Sequence, residues 1–266
     1  MVDACHPGHT AVVTLAVTLL AAAAGRDRVG LVLMALATLS GQLSTGWCND
    51  AYDAARDRAA GRAEKPTVRG DVAPRTLWVA AVVALVVTVP ASYLAAGPVG
   101  GTAHIVAVAS AWVYDLALKT TVLSWLPYVV SFGLVPAFVT YGLTPPTSPA
   151  WWLTAAAALL GAGAHLANAM PDVASDTSVG AGGVVARIGV RRATWLTLTC
   201  LVGALTLLVL HVGFAAWAGA VLVLASAAGA VAVGTRGRSR ALFRYVMGLA
   251  LLCVGLLVLA ASTLTA

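Results

Sequence analysis

The sequence predicts an all-α, polytopic membrane protein with about nine transmembrane helices. Hydrophobic residues make up 60% of the 266 residues and charged residues only 10%, whereas soluble domains contain about 25% charged residues. Apolar stretches long enough to cross a bilayer, which takes about 20 residues, recur along the whole chain. The Lys and Arg residues fall almost entirely in alternate connections between those stretches.

Nine apolar stretches follow one another, separated by Gly, Pro and charged residues. The first resembles a signal-peptide core in length, but no Lys or Arg precedes it, so we interpret it as a membrane helix. Because His211 and Gly213 leave little room for a turn between the seventh and eighth stretches, a count of eight is the alternative. The predicted spans are 10–25, 29–52, 74–96, 101–118, 123–142, 150–170, 192–211, 213–234 and 241–264.

The basic residues predict how the chain is oriented. Of the 16 Lys and Arg residues, all except Arg26 and Arg28 lie in one set of alternate loops. Because Lys and Arg accumulate on the cytoplasmic side, we expect a multi-pass plasma-membrane protein with a cytoplasmic N-terminus. No nucleic-acid-binding motif accompanies the basic excess, so nucleic acid is not an expected partner. The four cysteines form no CxxC pair, which indicates neither a zinc site nor a disulfide framework.

A first acidic motif, NDxxDxxxD, lies at the predicted cytoplasmic end of the second span. If the helix continues through it, Asn49, Asp53 and Asp57 occupy one face because they are four residues apart, and Asp50 points about 100° away. Magnesium characteristically joins one or two carboxylates to phosphate oxygens of a substrate. The motif therefore predicts a Mg²⁺ site.

A second acidic motif follows the sixth span and repeats the same spacing. Asn168, Asp172 and Asp176 are four residues apart. Pro171 frees a backbone carbonyl and kinks or ends the helix, and such breaks at membrane depth are tolerated where backbone lines a cavity. Carboxylates at the edge of a span are costly and usually functional, so we expect this motif to bind a second Mg²⁺.

Two acidic motifs on the same side of the membrane suit one task, which is to hold two Mg²⁺ ions. The ions bridge a diphosphate and neutralise its charge as it leaves. Basic side chains add direct hydrogen bonds to the phosphate oxygens. The candidates for these bonds are Lys119, Arg62, Lys65 and Arg69.

These motifs resemble those of the UbiA superfamily of intramembrane prenyltransferases. The resemblance rests on the motif 49–57, the turn 61–66, Tyr114 with Lys119, and the motif 168–176. It covers nearly the whole chain and implies one domain, 1–266, with nine helices around a central cavity under a cytoplasmic cap. The cap segments would be about 53–75, 115–122 and 171–192.

The resemblance also implies roles for individual residues. Asn49, Asp53 and Asp57 would bind one Mg²⁺ and Asp172 and Asp176 the other, with Asp50 in support. Lys119 would contact the diphosphate together with a basic residue of the cap, Arg69 or Lys65; Arg62 and Asn168 are further candidates. Tyr114 would stabilise the carbocation through its π face or orient the phosphate. Members that prenylate hydroxybenzoate carry an arginine near the first span, where this chain has His6 and His9, which argues against a benzoate acceptor.

Three functions are compatible with the motifs. The leading one is transfer of a prenyl group from an isoprenyl diphosphate to an aromatic or other lipophilic acceptor in the lipid membrane. The prenyl tail would lie among apolar residues such as Trp47, Trp112, Phe132 and Phe138. The second is cyclisation of the same cation without an acceptor, as in UbiA-type terpene cyclases. The third is a cation-binding transporter, which the acids disfavour because they lie near one membrane face rather than at the midplane.

Overall fold

The computed structural model describes residues 1–171, 173, 177, 182–213, 216–235, 241, 244–245, 248–249, 251–253 and 255–256. Its described elements are all helical, as predicted, and no strand occurs in these ranges. A 3₁₀ turn, Asp3–Cys5, precedes the first helix, and a π-helical turn, Tyr114–Leu118, follows the fourth. The α-helices are α1 Pro7–Ala23, α2 Arg28–Ala59, α3 Pro66–Arg69, α4 Pro74–Val113, α5 Leu126–Gly133, α6 Val135–Thr140, α7 Trp151–Ala169, α8 Val184–Ile188, α9 Val190–Val212 and α10 Ala216–Gly234.

Within the described ranges, three helical segments are long and apolar enough to cross a membrane, namely Arg28–Ala59, Pro74–Leu118 and Val190–Val212. Shorter apolar helices cover Pro7–Ala23, Leu126–Thr140 and Ala218–Gly229. The predicted ninth span, 241–264, falls largely outside the described residues. The apolar, all-helical character predicted from composition is thus confirmed.

Helix α4 is a helical hairpin. Gly97 has φ 63° and ψ −169°, a backbone region that essentially only glycine occupies. The Ser92 hydroxyl lies 2.7 Å from His104 Nδ1, although twelve residues of straight helix would separate them by about 18 Å. The chain therefore folds back at Gly97, in agreement with the predicted separation of spans 74–96 and 101–118.

Two predicted spans differ in detail from the structure. The second span was expected to end near residue 52, but α2 continues to Ala59, which makes the whole first acidic motif helical. The span 123–142 is divided into α5 and α6, whose first turns contain Pro127 and Pro136. Proline suits a first turn, where its missing N–H is not needed, and it removes a hydrogen bond from any helix running through it.

Small polar residues let α2 and α4 pack closely. Thr88 Oγ1 donates to Ser40 Oγ at 2.9 Å, and Ser44 Oγ donates to the Ala81 carbonyl at 2.9 Å. Small residues of this kind are typical of helix interfaces in membranes, because they allow backbones to approach. On the other side of the molecule, α7 packs against α5 and α9. A cavity lies between these two groups of helices.

Arg26 ties the turn between α1 and α2 to the far side of the bundle. Its guanidinium donates to the carbonyl oxygens of Gly142 and Ala95. Ala95 belongs to the last turn before the reversal at Gly97, where carbonyls lack helical partners. Arg26 thereby satisfies backbone groups at the end of the bundle opposite the acidic motif.

Candidate active site

A cavity of about 710 Å³ lies between α1, α2, the end of α4, α5, α7 and the segment 182–186. One end is rich in charged side chains, and we call it the polar end. Its charged lining residues are Asp3, Asp53, Arg56, Arg62, Glu64, Lys65, Asp115 and Lys119.

Helix α2 supplies one wall of the cavity from a single face. The lining residues of this helix recur every three or four positions, as expected for one face of an α-helix. They are Gln42, Thr45, Gly46, Asn49, Asp53 and Arg56. The predicted shared face of Asn49 and Asp53 is therefore present in the structure.

Two aspartates of the first acidic motif are buried and paired with basic side chains. Asp53 is 7% exposed and forms ion pairs with Arg56 and Lys119. Asp57 is 1% exposed, and one of its oxygens accepts a hydrogen bond from Arg62 at 3.1 Å. Buried carboxylates are tolerated only when paired or bound to metal, and here the basic side chains compensate the negative charge of both aspartates.

Asp50 lies behind the ladder rather than in the cavity wall. It is fully buried, accepts a hydrogen bond from Lys65 Nζ at 2.7 Å and lies 3.4 Å from His6 Nε2. Lys65 itself lines the cavity. Asp50 therefore positions Lys65, and its supporting role at a metal site stays a prediction.

A π-helical turn aligns Tyr114 with Lys119. Five residues along an α-helix rotate the side chain by about 140° from the starting face. Here the Lys119 N–H donates to the Tyr114 carbonyl at 2.9 Å, which is the i to i+5 bond of a π-helix, a feature frequent at functional sites. Both residues consequently line the cavity. Burial lowers the pKa of Lys119 to about 8, although neighbouring Asp115 opposes that shift.

Asp115 joins the polar end from the same turn. It is 4% exposed, accepts a hydrogen bond from Asn49 Nδ2 at 2.6 Å and lies 4.0 Å from Lys119 Nζ. A carboxylate accepts only, so the Asn49 NH₂ group faces Asp115. The Asn49 carbonyl oxygen is consequently directed elsewhere.

The opposite wall is aromatic. The rings of Tyr114 and Tyr128 lie 5.2 Å apart, edge to face, and His165 lies 5.7 Å from Tyr114 and 4.9 Å from Tyr128. Phe132 and Asn168 also line this part of the cavity. The aromatic faces provide a negative potential that attracts a cation, next to the polar end.

Other predicted residues lie elsewhere. Arg69 is outside the cavity lining; it pairs with Asp71 at 2.7 Å and with Asp3 at 3.4 Å. Phe138 is 1% exposed and stacks on His104, while the indole N–H groups of Trp47 and Trp112 donate to Met1 O and Ser44 Oγ. Asp172 and Asp176 lie outside the described residues.

The polar end fits a divalent ion by the chemistry of its donors. Among the described residues, no group of three or more His, Cys, Asp or Glu side chains is arranged so that it could hold a metal ion. Asn49 and Asp53 nevertheless supply the hard oxygen ligands that Mg²⁺ prefers. Asp57 does not line the cavity, but its Oδ2 is buried without a hydrogen-bond partner among the described residues, and unpartnered buried oxygens call for an explanation.

Sequence reasoning missed several residues of the site. Asp115 and His165 are isolated ionisable residues within apolar spans, and such residues are functional candidates by their position alone. That signal was available for both. By contrast, nothing in the sequence links Ser124 or Tyr128 to the cavity, because their positions depend on how α5 and the loop before it pack against α7. Arg56 lies within the first acidic motif, three residues after Asp53, so its helical spacing already places it on the same face of α2.

Comparisons with known proteins match the chain to a family. The model of the UbiA prenyltransferase family matches residues 10–247. No curated protein sequence matches the chain closely enough to count as a relative.

Solved structures share the fold over nearly the whole chain. A UbiA homologue from Aeropyrum pernix K1, in its apo form, matches with TM-score 0.73 and 20% identity over 95% of this chain and 98% of that one. A UbiA homologue from Archaeoglobus fulgidus bound to DMAPP and Mg²⁺ matches with TM-score 0.72 and 16% identity over 99% of both chains. A digeranylgeranylglyceryl phosphate synthase matches with TM-score 0.65 and 13% identity over 99% of this chain and 96% of that one.

Proposed function

The chain belongs to the UbiA prenyltransferase family, whose model covers residues 10–247, and from that premise we propose that it transfers a prenyl group from an isoprenyl diphosphate to an aromatic or other lipophilic acceptor within the membrane. One observation carries the proposal. The cavity joins a polar end, where Asp53 and Lys119 meet, to an aromatic wall that contains Tyr114. A diphosphate and an allylic chain need these two environments side by side.

The proposal includes the arrangement of the whole chain. Residues 1–266 form one domain of about nine transmembrane helices around the cavity, in the plasma membrane, with the polar end facing the cytoplasm. The segments 53–75, 115–122 and 171–192 cap that end. The distribution of Lys and Arg supports this orientation, since α3 and the residues around it carry basic side chains.

Magnesium is the proposed cofactor. Asn49, Asp53 and Asp57 would hold one ion, and Asp172 and Asp176 the other. When bound, Mg²⁺ supplies Lewis-acid neutralisation of the charge on the departing diphosphate. The relative from Archaeoglobus fulgidus bound to DMAPP and Mg²⁺ supports this assignment through its shared fold.

The basic residues of the polar end hold the diphosphate in this account. Lys119, Arg62 and Lys65 line the cavity and can donate charge-assisted hydrogen bonds to phosphate oxygens. Asn168 lines the same cavity and offers an amide donor. Arg69 takes part only if the segment 61–73 moves toward the cavity. The Tyr114 ring is placed to stabilise the allylic cation.

The acceptor is proposed to be neutral. The cavity wall supplied by α1 and the adjoining part of α2 presents His9, Thr10, Gln42 and Thr45, which are hydrogen-bonding but carry no guanidinium or ammonium group. A carboxylate or phosphate on the acceptor would be buried there without a guanidinium or ammonium partner, at a high cost in free energy. A phenol or alcohol meets no such cost.

Diphosphate release tests the proposal. We expect purified protein in lipid nanodiscs to release diphosphate from geranylgeranyl diphosphate only with Mg²⁺, and faster with a lipophilic phenol such as 1-naphthol. Asp53→Ala and Asp172→Ala should each lower release by about 10² or more, because electrostatic stabilisation of the departing charge is usually the largest catalytic term. Exposed Asp71→Ala is the matched control.

The products separate the competing functions. A prenylated phenol supports transfer, whereas a hydrocarbon formed with Mg²⁺ and no phenol identifies a cyclase. A cation transporter has no reason to bind the diphosphate. If the protein binds no diphosphate, either with or without Mg²⁺, that result counts against both prenyl transfer and cyclisation. Release by Asp53→Ala and Asp172→Ala at the wild-type rate would remove the proposed metal roles.

A further inference from the structure

A buried histidine lies on the cavity wall, outside the first acidic motif. His165 belongs to α7, is 2% exposed and lines the cavity. It precedes Asn168 by three residues, which places it about 4.5 Å further along the helix axis, away from the end of α7 that meets the segment 182–186. His165 thus lies at the junction of the polar end and the aromatic wall.

Ser124 holds one nitrogen of the imidazole. His165 Nε2 lies 3.1 Å from Ser124 Oγ, and the same oxygen accepts the Val184 N–H at 3.2 Å. Ser124 is fully buried. Three elements therefore fix this ring: α7, which carries it, the loop before α5, and the first residue of α8.

The other nitrogen has unused hydrogen-bonding capacity. His165 Nδ1 is buried and has no partner among the described residues. A neutral imidazole has one N–H donor and one acceptor nitrogen, and leaving either unpaired in the interior costs about 1–3 kcal/mol. The aromatic rings of Tyr114 and Tyr128 surround the imidazole without offering Nδ1 a hydrogen bond in the described contacts. An unsatisfied buried group of this kind calls for an explanation, and a catalytic role is one.

We propose that His165 Nδ1 is the base that accepts the proton released when the prenyl cation is captured by the acceptor. The inference rests on the proposed function and adds a residue to it. The C1–O bond breaks, and its electron pair leaves with the diphosphate. An electron pair of the acceptor forms the new bond to C1, and the proton that the acceptor loses moves to Nδ1, which gives an imidazolium.

The proposal fixes the tautomer of the resting imidazole. Nε2 must carry the hydrogen and donate it to Ser124 Oγ, so that the lone pair remains on Nδ1. The serine oxygen can accept both this hydrogen and the Val184 N–H, because a hydroxyl has two acceptor lone pairs. Ser124 is accordingly a positioning residue, which acts through the imidazole.

Nitrogen NMR of ¹⁵N-histidine-labelled protein in nanodiscs tests the tautomer without any turnover. The signals of His165 are identified by their loss in His165→Gln. We expect Nδ1 to be unprotonated at neutral pH, with the hydrogen on Nε2. A protonated Nδ1 in the neutral ring would overturn the proposal. Because no substrate is involved, this result stands even if the protein fails to release diphosphate, which would reject the proposed function alone.

Two amide variants separate a base from a structural contact. His165→Gln retains a polar atom near the position of Nε2 and thus the contact to Ser124, whereas His165→Asn retains one near Nδ1. Both lack a basic nitrogen. With geranylgeranyl diphosphate, Mg²⁺ and 1-naphthol, both variants should release diphosphate within about 3-fold of wild type but form about 10²-fold less prenylated phenol, within the range for loss of a general base. Prenyl alcohol from water capture should rise in compensation.

His104→Gln is the matched control, since His104 is also buried and hydrogen-bonded to a serine, Ser92, but does not line the cavity. It should give the wild-type ratio of prenylated phenol to prenyl alcohol. A wild-type ratio in His165→Gln would overturn the proposal. An equal loss of diphosphate release and of prenylated phenol in both His165 variants would also overturn it, because that pattern describes a residue needed for substrate binding or folding.

Discussion

The orientation of one amide decides what the first acidic motif presents to the cavity. Asn49 Nδ2 donates to Asp115 Oδ1 at 2.6 Å, and Asp115 is held 4.0 Å from Lys119 Nζ. With its NH₂ group fixed, Asn49 has its carbonyl oxygen directed away from Asp115. Asp115 thus positions a proposed metal ligand without being one.

Asp115→Asn should weaken the response to magnesium. The new amide can donate as well as accept, so it no longer requires the Asn49 NH₂ group to face it. Groups that orient metal ligands typically change metal affinity by about 10- to 100-fold when mutated, and we expect a shift of that size in the Mg²⁺ concentration for half-maximal diphosphate release. Asp71→Asn, which alters an exposed pair with Arg69, is the control. An unchanged Mg²⁺ requirement in Asp115→Asn would contradict the positioning role.

The sequence predicts some residues of the site but not others. Asn49, Asp53 and Asp57 were found because a helical repeat of oxygen ligands is a local pattern, independent of tertiary structure. Asp115 and His165 form no pattern with their neighbours in sequence. Their partners, Asn49 and Ser124, are 66 and 41 residues away, so these contacts depend on helix packing.

At the scale of the helices, the reversal at Gly97 brings Ser92 beside His104 and stacks His104 on Phe138. The conformation of Gly97 is accessible essentially to glycine alone, and other residues there cost about 1–3 kcal/mol. An added Cβ would meet no atom within 4 Å, so the cost is one of backbone strain.

Gly97→Ala should therefore lower the free energy of unfolding by about 1–3 kcal/mol, measured by chemical denaturation in detergent. Gly8→Ala is the control, because its Cβ also meets open space and its backbone is helical. Equal stability of Gly97→Ala and wild type would mean that the hairpin does not require this conformation.

Elements were predictable where local signals mark them. Glycine at 97 and the polar segment after α2 separated spans correctly. The division of α5 from α6 and the π-helical turn at Tyr114–Leu118 were missed, since Pro127 and Pro136 sit inside one apolar stretch and nothing local marks a π turn. That turn aligns Tyr114 with Lys119, and its cause lies in the packing around the cavity.

At the scale of the molecule, the proposed orientation makes a labelling prediction. Glu64 lies in the loop after α2 and Thr147 in the loop after α6, on opposite sides of the membrane in our account. A membrane-impermeant maleimide should label Thr147→Cys in intact cells and Glu64→Cys only in inside-out vesicles. Cys5, Cys48 and Cys253 are buried and Cys200 is half-buried, which keeps the background low. Labelling of Glu64→Cys from outside would invert the topology.

The apolar, all-helical character followed from composition, because a bilayer requires apolar helices, and the charge of the loops predicts the orientation. The cavity did not follow from them. The cavity lies between elements that include α2, α5 and α7, and side-chain spacing along one helix contains no information about the distances between helices. The nature of the acceptor depends on this same geometry.

Binding of an unreactive substrate analogue is the most direct test of the central claim, that two acidic motifs grip one diphosphate through magnesium. Titration calorimetry with geranyl S-thiolodiphosphate and purified protein should show binding that requires Mg²⁺, with two ions taken up per analogue. Asp53→Ala and Asp172→Ala should each weaken binding by about 10² or more, since each carboxylate is proposed to hold a Mg²⁺ ion that neutralises the charge of the diphosphate. Mg²⁺-independent binding, or wild-type affinity in either variant, would contradict the account.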